Sequence, residues 1–440
     1  MRIRQIKAFS QLVGIIREIE MNPDDLESVK KLNIRILGLV QHSEEAIARH
    51  KKSRKKLNSQ LKTQRGDKKS SNAIRTKIKR VISYIKAQRD QIYIWKCFGD
   101  ALVYIYLDSF SVKHAFFDTE DYDEKQDAGI TLGKSGLYQE IGCLLAAIEH
   151  GVPAVLCDLT NIIRYGDVCL LGDSDPYLIE VKTSPNLNQR GRRQQAKLKR
   201  LHEFIESDRA EDFRGHQGPT IRVSIEKEPT YHLAALNECL TIAKKEDWAV
   251  RKPEKGVTYI AISGNGDVIA ALDSLDVTSP EVYDLNSYKN GHAWAPFSSF
   301  LLSIRNPEHA LDFIEGRLYI IVVIEPHHIC ELMQQDGWEI RYRPGELHPI
   351  QFLHRETAAF SAVSSQIIAR CAFEFMSLAG VVEVGKPRLE QMMELAPVEL
   401  DKYDIDEYRN RIIGLFGPDD EWAKHILEAG QSEVSDDSRN

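Results

Sequence analysis

Tyr165-Gly166-Asp167-Val168-Cys169-Leu170-Leu171, Gly172-Asp173-Ser174-Asp175-Pro176 and Tyr177-Leu178-Ile179-Glu180-Val181-Lys182-Thr183 form the stretch on which the fold turns. Glu180 and Lys182 are two apart. On a strand that spacing puts both side chains on one face, because strand side chains alternate. Tyr177 to Thr183 is rich in β-formers, and Gly172 to Pro176 is a strong turn signal. Val168 to Leu171 reads as a short apolar strand entered by Asp167. The sequence therefore predicts a hairpin that brings Asp167 beside Glu180 and Lys182. Two carboxylates and a lysine on adjacent strands suit a hard divalent cation and an activated water.

The flanking elements follow an α-β-β-β-α-β order. Leu137 to His150 has helical periodicity, with Leu137, Ile141, Leu144, Leu145 and Ile148 on one stripe. Gly151-Val152-Pro153 ends it. Ala154-Val155-Leu156-Cys157 reads as a buried strand, and the hairpin follows. Arg190 to Glu206 reads as a second helix with Leu198, Leu201 and Ile205 on its apolar side. Arg193, Lys197 and Arg200 fall about 100° away around the wheel. Thr220 to Ile225 supplies a fourth strand. The fold class is α/β, of the mixed α+β kind.

This order, with Asp167 and Glu180-Val181-Lys182, resembles the PD-(D/E)xK nuclease superfamily and its restriction-endonuclease-like core, over roughly residues 134 to 226. Gly166 stands where the signature has proline. The resemblance implies a mixed sheet and hydrolysis of phosphodiesters with Mg²⁺, Mn²⁺ being a possible substitute. Asp167, Glu180 and the backbone carbonyl of Val181 would be the metal ligands. Lys182 would orient or deprotonate the attacking water and offset charge on the phosphorane. Glu140, on the flank of the first helix, is the best match for the further acidic residue that relatives place there. Gln194 or Gln195 matches a glutamine near the site. DNA is favoured over RNA as substrate, in restriction, repair or defence against invading DNA. The alternative is a non-catalytic nucleic-acid binder or protein-interaction scaffold that keeps the fold. The bland reading makes Asp167 a turn cap and Glu180 with Lys182 a solvated pair on a sheet face.

Ala128-Gly129-Ile130-Thr131-Leu132-Gly133-Lys134-Ser135 fits a loose phosphate-loop pattern. That loop needs a buried strand immediately before it, and Asp118 to Asp127 is acidic and polar. A better use of Gly133-Lys134-Ser135-Gly136 is a helix start facing a nucleic-acid phosphate.

The net charge of −7 is unevenly spread. Residues 1–90 carry about +14, which leaves about −21 for the remainder. His50-Lys51-Lys52-Ser53-Arg54-Lys55-Lys56 is the richest run, followed by Lys62, Arg65, Lys68 and Lys69, then Arg75, Lys77, Lys79 and Arg80. A basic end of this size attracts polyanions. Arg190, Arg192, Arg193, Lys197 and Arg200 follow the site strand directly and are the expected contacts to a nucleic-acid backbone.

Four parts are read along the chain: a basic helical arm at 1–90, the nuclease-like domain at 91–228, an accessory α/β domain at 229–425 and a disordered tail at 426–440. The arm or the C-terminal domain could pair subunits in a homo-oligomer. No run of eighteen apolar residues exists, so no membrane span is expected. Met1-Arg2-Ile3-Arg4-Gln5 lacks a secretory apolar region, which points to the cytoplasm. Seven cysteines without a CxxC pair read as reduced core residues. His292, His327 and His328 read as loop or cap residues, since none has a ligand partner at zinc spacing.

Overall fold

The computed structural model describes residues 3–63, 68–126, 129–182, 189–215, 219–222, 228–264, 266–334, 337–346, 348–357, 360–383, 410, 412–414 and 416–428. The chain forms two compact units, residues 1–222 with 290–307, and residues 223–289 with 308–440. It is mixed α and β, with small antiparallel sheets.

Three helices open the first unit: α1 (Ile3–Met21), α2 (Leu26–Thr63) and α3 (Lys68–Tyr106). α1 buries Phe9, Leu12, Val13, Ile16 and Ile19, the i, i+3, i+4, i+7 stripe of an amphipathic helix. α2 and α3 pack along each other, with His50 stacked on Tyr84. Their ends nearest the connection carry the basic clusters and are mostly solvated, Ser71 and Ile74 excepted, whereas Ser28 to Ile47 and Gln91 to Val103 supply most of the buried positions. The expected turn at Arg65-Gly66-Asp67 lies outside the described residues. The boundary read at 90/91 falls inside α3 and within the first compact unit. The apolar run Ala101 to Leu107 reads in sequence as either an edge strand or an extension of the preceding helix; it extends α3 as far as Tyr106.

α4 (Ser109–Val112) is capped by Asp108, and α5 (Leu137–Glu149) precedes the sheet. β1 (Ala154–Leu156), β2 (Val168–Leu170) and β3 (Tyr177–Ile179) form an antiparallel sheet in the order β1-β2-β3. α6 (Gln189–Ser207) follows. β4 (Arg209–Glu211) pairs with β5 (Pro219–Ile221) in a separate two-stranded sheet. The rest of the expected fourth strand, Val223 to Ile225, lies outside the described residues. This corrects the expected mixed four-stranded sheet: among the described residues the fourth strand does not join the first three. Arg222 explains the departure. Its guanidinium holds Asp175 in the hairpin turn and Asp208 at the end of α6, which ties the chain to that corner.

The second unit is built on α7 (Leu233–Glu246) and a sheet of β6 (Trp248–Glu254), β7 (Val257–Ser263), β8 (Glu281–Asp284) and β9 (Leu318–Ile324). The strand order is β6-β7-β9-β8, every pair antiparallel. In sequence, Tyr259 to Ser263, the glycine-rich Gly264-Asn265-Gly266 and Val268 to Leu272 read as a hairpin; Val268 to Leu272 is instead in the helix α8 (Val268–Asp273). Asp267 decides this, accepting hydrogen bonds from Ile269 N at 2.9 Å and Ala270 N at 3.1 Å as an N-cap. α9 (Leu285–Asn290), α10 (Phe300–Ser303), α11 (Pro307–Glu315) and α12 (His327–Leu332) follow along the chain, α10 belonging to the first unit. β10 (Trp338–Tyr342), β11 (Ile350–His354) and β12 (Phe360–Val363) make an antiparallel sheet before α13 (Ser365–Phe373). Glu356 to Leu378 reads in sequence as one long helix; the helix observed there is shorter, because Phe360 to Val363 pairs with β11 and Ser364 caps the helix that remains. Residues 421–428 are helical with Ile426 buried, so the tail read from 426 starts no earlier than 429, and 429–440 lie outside the described residues.

One backbone position fixes the hairpin. Gly166 has φ +70°, and a Cβ there would lie 2.9 Å from the Ile179 carbonyl oxygen. Proline, locked near −65°, could not occupy this position, which accounts for the glycine in the signature. Gly166→Ala should destabilise the chain by about 1–3 kcal/mol. Gly142→Ala, inside α5 with open space at its Cβ, should stabilise by up to about 1 kcal/mol. Urea unfolding of the two variants measures the contrast, and equal midpoints would refute the role of Gly166.

Candidate active site

The β2–β3 register places the site. Val168 pairs with Ile179 at the end of the register, and Asp167 and Glu180 are the next residues along the two strands. Asp167 N donates to Ile179 O at 2.7 Å, and Cys157 N donates to Asp167 O at 2.9 Å. The Asp167 carboxylate accepts from Val181 N at 2.9 Å through Oδ2. Asp167 is thus bonded to both of its neighbours in the sheet. It does more than cap a turn.

The second oxygen of Asp167 faces a cation that the sequence reading assigned elsewhere. Lys134 Nζ lies 3.0 Å from Asp167 Oδ1, 2.8 Å from Asp158 Oδ2 and 2.9 Å from Glu140 Oε1. Glu140 projects from the first turn of α5 and is 2 % exposed. Lys134 therefore points into a carboxylate cluster, which corrects its reading as part of a helix start facing a phosphate. Burial works against the Lys134 ammonium, but hydrogen bonds and charge from Asp158, Glu140 and Asp167 outweigh it and raise the group further above the lysine range. Burial pushes the Glu140 carboxyl up, Lys134 working against it.

Glu180 completes the group. Its carboxyl is raised by burial and then by the Asp167 charge, while Lys125, Lys134 and Lys182 act the other way. Lys182 is exposed at the mouth of the site. Lys125 sits behind it, 3.4 Å from the Tyr165 ring centroid, donating to the Arg164 carbonyl. Burial brings the Lys125 ammonium down to about 8, although Asp118 and Glu180 favour its charged form. Four carboxylates and three lysines thus share one corner of the sheet.

In sequence, Val155-Leu156-Cys157-Asp158 could pass for the magnesium strand that partners a phosphate loop, but such runs are common and Asp158 was not assigned to this site. The structure brings it there, just beyond Cys157, whose N–H donates to the Asp167 carbonyl. Lys125 was missed. Lys125 has no signal, since it enters from an irregular segment.

The donor set tests the fit to magnesium. Glu140, Asp158, Asp167 and Glu180 offer only hard oxygens, as Mg²⁺ and Mn²⁺ prefer. Cys157 is buried and its thiol is pushed up, so it remains protonated. The three oxygens around Lys134 stand 2.8–3.0 Å from its nitrogen, wider than the ~2.0–2.1 Å of a magnesium shell. The residue types fit the ion, and its binding calls for Lys134 to withdraw.

The expected nucleic-acid contacts divide. Arg192 and Arg193 are exposed on α6. Lys197 is held by Asp118 at 2.8 Å and Glu120 at 2.9 Å, so it is already neutralised. Arg200 donates to the Glu211 and Asp212 carbonyls and covers the Phe213 ring. Lys197 and Arg200 are therefore corrected to structural cations. The Arg190 side chain lies outside the described residues. Gln194 and Gln195 are exposed. Among the described residues no helix is long and apolar enough to cross a membrane.

The chain matches no protein-family model, no curated protein and no solved structure.

The charges make a stability test. The raised Glu180 carboxyl costs stability that is absent below its unfolded pKa near 4.5, grows as pH rises through the folded value, and is complete above it. Glu180→Gln should therefore stabilise the chain by about 0.5–2 kcal/mol at pH 7 and leave it unchanged near pH 4. Lys134→Met should cost about 3 kcal/mol or more at pH 7, and less at pH 5, because burial favours the neutral Glu140 carboxyl and the cost falls as pH is lowered. Denaturant midpoints at the two pH values report both. A Glu180→Gln chain less stable than the parent at pH 7 would contradict the assigned repulsion.

Proposed function

We propose that this chain is a metal-dependent nuclease that hydrolyses phosphodiester bonds, with DNA favoured over RNA. The observation that carries the reading is the convergence of Glu140, Asp158 and Asp167 on Lys134, with Glu180 close enough for the Asp167 charge to raise its carboxyl. A solvated charge pair on a sheet face would not draw in a buried glutamate from a preceding helix. The restriction-endonuclease-like arrangement is supported by the order α5-β1-β2-β3-α6, and Asp167, Glu180 and Lys182 keep the roles that the resemblance gives them.

Asp167, Glu180 and the Val181 carbonyl, with Glu140, are the groups that would hold Mg²⁺ or Mn²⁺. Such an ion supplies a lowered pKa for a bound water and charge stabilisation for the phosphorane. The chain's own residues do the rest. Val181 N and Lys134 hold the two Asp167 oxygens in a fixed direction. Lys182, exposed beside Glu180, orients the attacking water and faces the charge that develops on the phosphoryl oxygens. Lys125 tempers the repulsion between Glu180 and Asp167 from the buried side. Arg192 and Arg193 lie on the helix that follows the site, where a substrate backbone would pass. The exposed Lys52, Lys55, Lys77 and Lys79 on the outer parts of α2 and α3 extend the positive surface. Restriction, repair or defence against invading DNA is the setting that the resemblance implies.

Plasmid, linear and single-stranded DNA, and RNA, should be incubated with the chain in Mg²⁺, Mn²⁺ or EDTA. Cleavage should require the metal, be lost in Asp167→Asn, and fall at least ~100-fold in Lys182→Ala with binding retained. A chain that binds and never cuts in any arm overturns the enzyme and leaves a binder. Replacing Lys52, Lys55, Lys77 and Lys79 by Gln should flatten the dependence of log K on log salt by about one for each phosphate that these side chains neutralise. An unchanged slope removes these lysines from the binding surface.

A further inference from the structure

The second unit holds a set of ligand-type side chains that the nuclease reading does not use. Glu325, His327 and His328 each place one donor atom within 4.8 Å of the others, and among the described residues they are the group of His, Cys, Asp or Glu so arranged. The sequence showed the two histidines but no partner. The partner is Glu325, which leaves the end of β9 immediately before them.

The surroundings hold these residues in place. Glu325 N donates to Gly256 O at 2.9 Å, and Glu325 Oε1 accepts from Thr278 N at 2.8 Å, leaving Oε2 for another partner. His328 is buried, and its Nδ1 lies 2.8 Å from Glu331 Oε2. Lys255 in turn holds Glu331 at 3.1 Å. A carboxylate on one imidazole nitrogen fixes the tautomer and ring direction, and metal-bound histidines nearly always have such a partner. Gly256, with φ +85°, allows the approach: a Cβ there would lie 2.6 Å from His328 Cδ2. Gly256, Thr278 and Glu325 all lie at one end of the four-stranded sheet, since Val257 and Glu281 both pair with Ile324.

We infer that Glu325, His327 and His328 form a binding site for a borderline divalent transition metal, of which zinc is the first choice. Two imidazoles and one carboxylate are a ligand set for Zn²⁺ and a poor one for Mg²⁺, which takes oxygen. Metal–ligand bonds of ~2.0–2.1 Å in a tetrahedron separate the donors by roughly 3.3 Å. Three protein ligands leave the fourth position to water or to a side chain of a bound partner.

The test uses the full chain, stripped with chelator and titrated with ZnCl₂ by calorimetry, and with CoCl₂ by visible absorption. One equivalent should bind in the parent and in Asp167→Asn. His327→Ala and Glu325→Gln should each lose that equivalent, and Glu331→Gln should bind about 10–100-fold more weakly. His327 is half-buried, so its variant should keep the parent's circular dichroism. The cobalt spectrum should show nitrogen and oxygen ligation without thiolate charge-transfer bands. Absence of binding, retention of the equivalent in His327→Ala and Glu325→Gln, or thiolate bands from the seven cysteines would each overturn the site. Loss of zinc in Asp167→Asn alone would move the metal to the carboxylate cluster and overturn it too.

Discussion

Three buried polar side chains of the long helices fix the corner of the sheet where the carboxylates meet. Asn33 of α2 donates to the Ala154 carbonyl and accepts from Leu156 N, completing the free edge of β1. Glu44, one helical stretch further on, accepts from Thr131 N, Thr131 Oγ1 and Leu132 N. Asp100 of α3 accepts from Asn161 N, Asn161 Nδ2 and Ile162 N. Each clamp lies a few residues from a charged group of the site: Asp158 after β1, Lys134 after Leu132, Asp167 after Ile162. Buried polar groups require such partners, and losing one partner costs the desolvation of the other. The helices are therefore the mould of the site as well as a basic arm.

Asp100 shows what that mould costs. Burial pushes its carboxyl up to about 6 against three hydrogen bonds that favour the charged form. Gly99, its neighbour, leaves no room for a side chain: a Cβ would lie 2.1 Å from the Leu159 carbonyl oxygen. Helix α3 thus rests directly on the backbone between β1 and β2, and the segment that turns Asp158 inward cannot drift. A fixed backbone at the point where charges converge is what an electrostatic site needs, because its groups cannot relax away from one another.

This also explains what the sequence could and could not tell. The hairpin, with Asp167 opposite Glu180, was legible because alternation, turn residues and register are local. Glu140 was legible as a position on a helix flank, though not as a buried group. The meeting of Lys134 and Asp158 at one point was hidden because their directions depend on side chains far away in sequence: Glu44 is 87 residues before Thr131, and Asn33 is 121 before Ala154. Lys197 and Arg200 misled for the opposite reason. A basic helix face looks available until the acidic segment at Asp118 and Glu120 folds over it. In the second unit, α8 defeated the strand reading because an N-cap at Asp267 outweighed a β-rich run with little to bury.

The lysine at the centre of the cluster is the feature that lets the carboxylates coexist. Glu140, Asp158 and Asp167 each have little exposure, 3 %, 11 % and 14 % at the side chain. Carboxylates crowded together without a cation repel one another and tend to take up protons. Lys134 offsets that repulsion and directs the three groups at one point. Under the proposed function an ammonium and a divalent ion would compete for the same oxygens, so the lysine that organises the cluster would also set how tightly a metal binds. That competition would tie the stability of the folded chain to the proposed chemistry: the interaction that keeps the acidic corner folded is the one that a metal would have to replace.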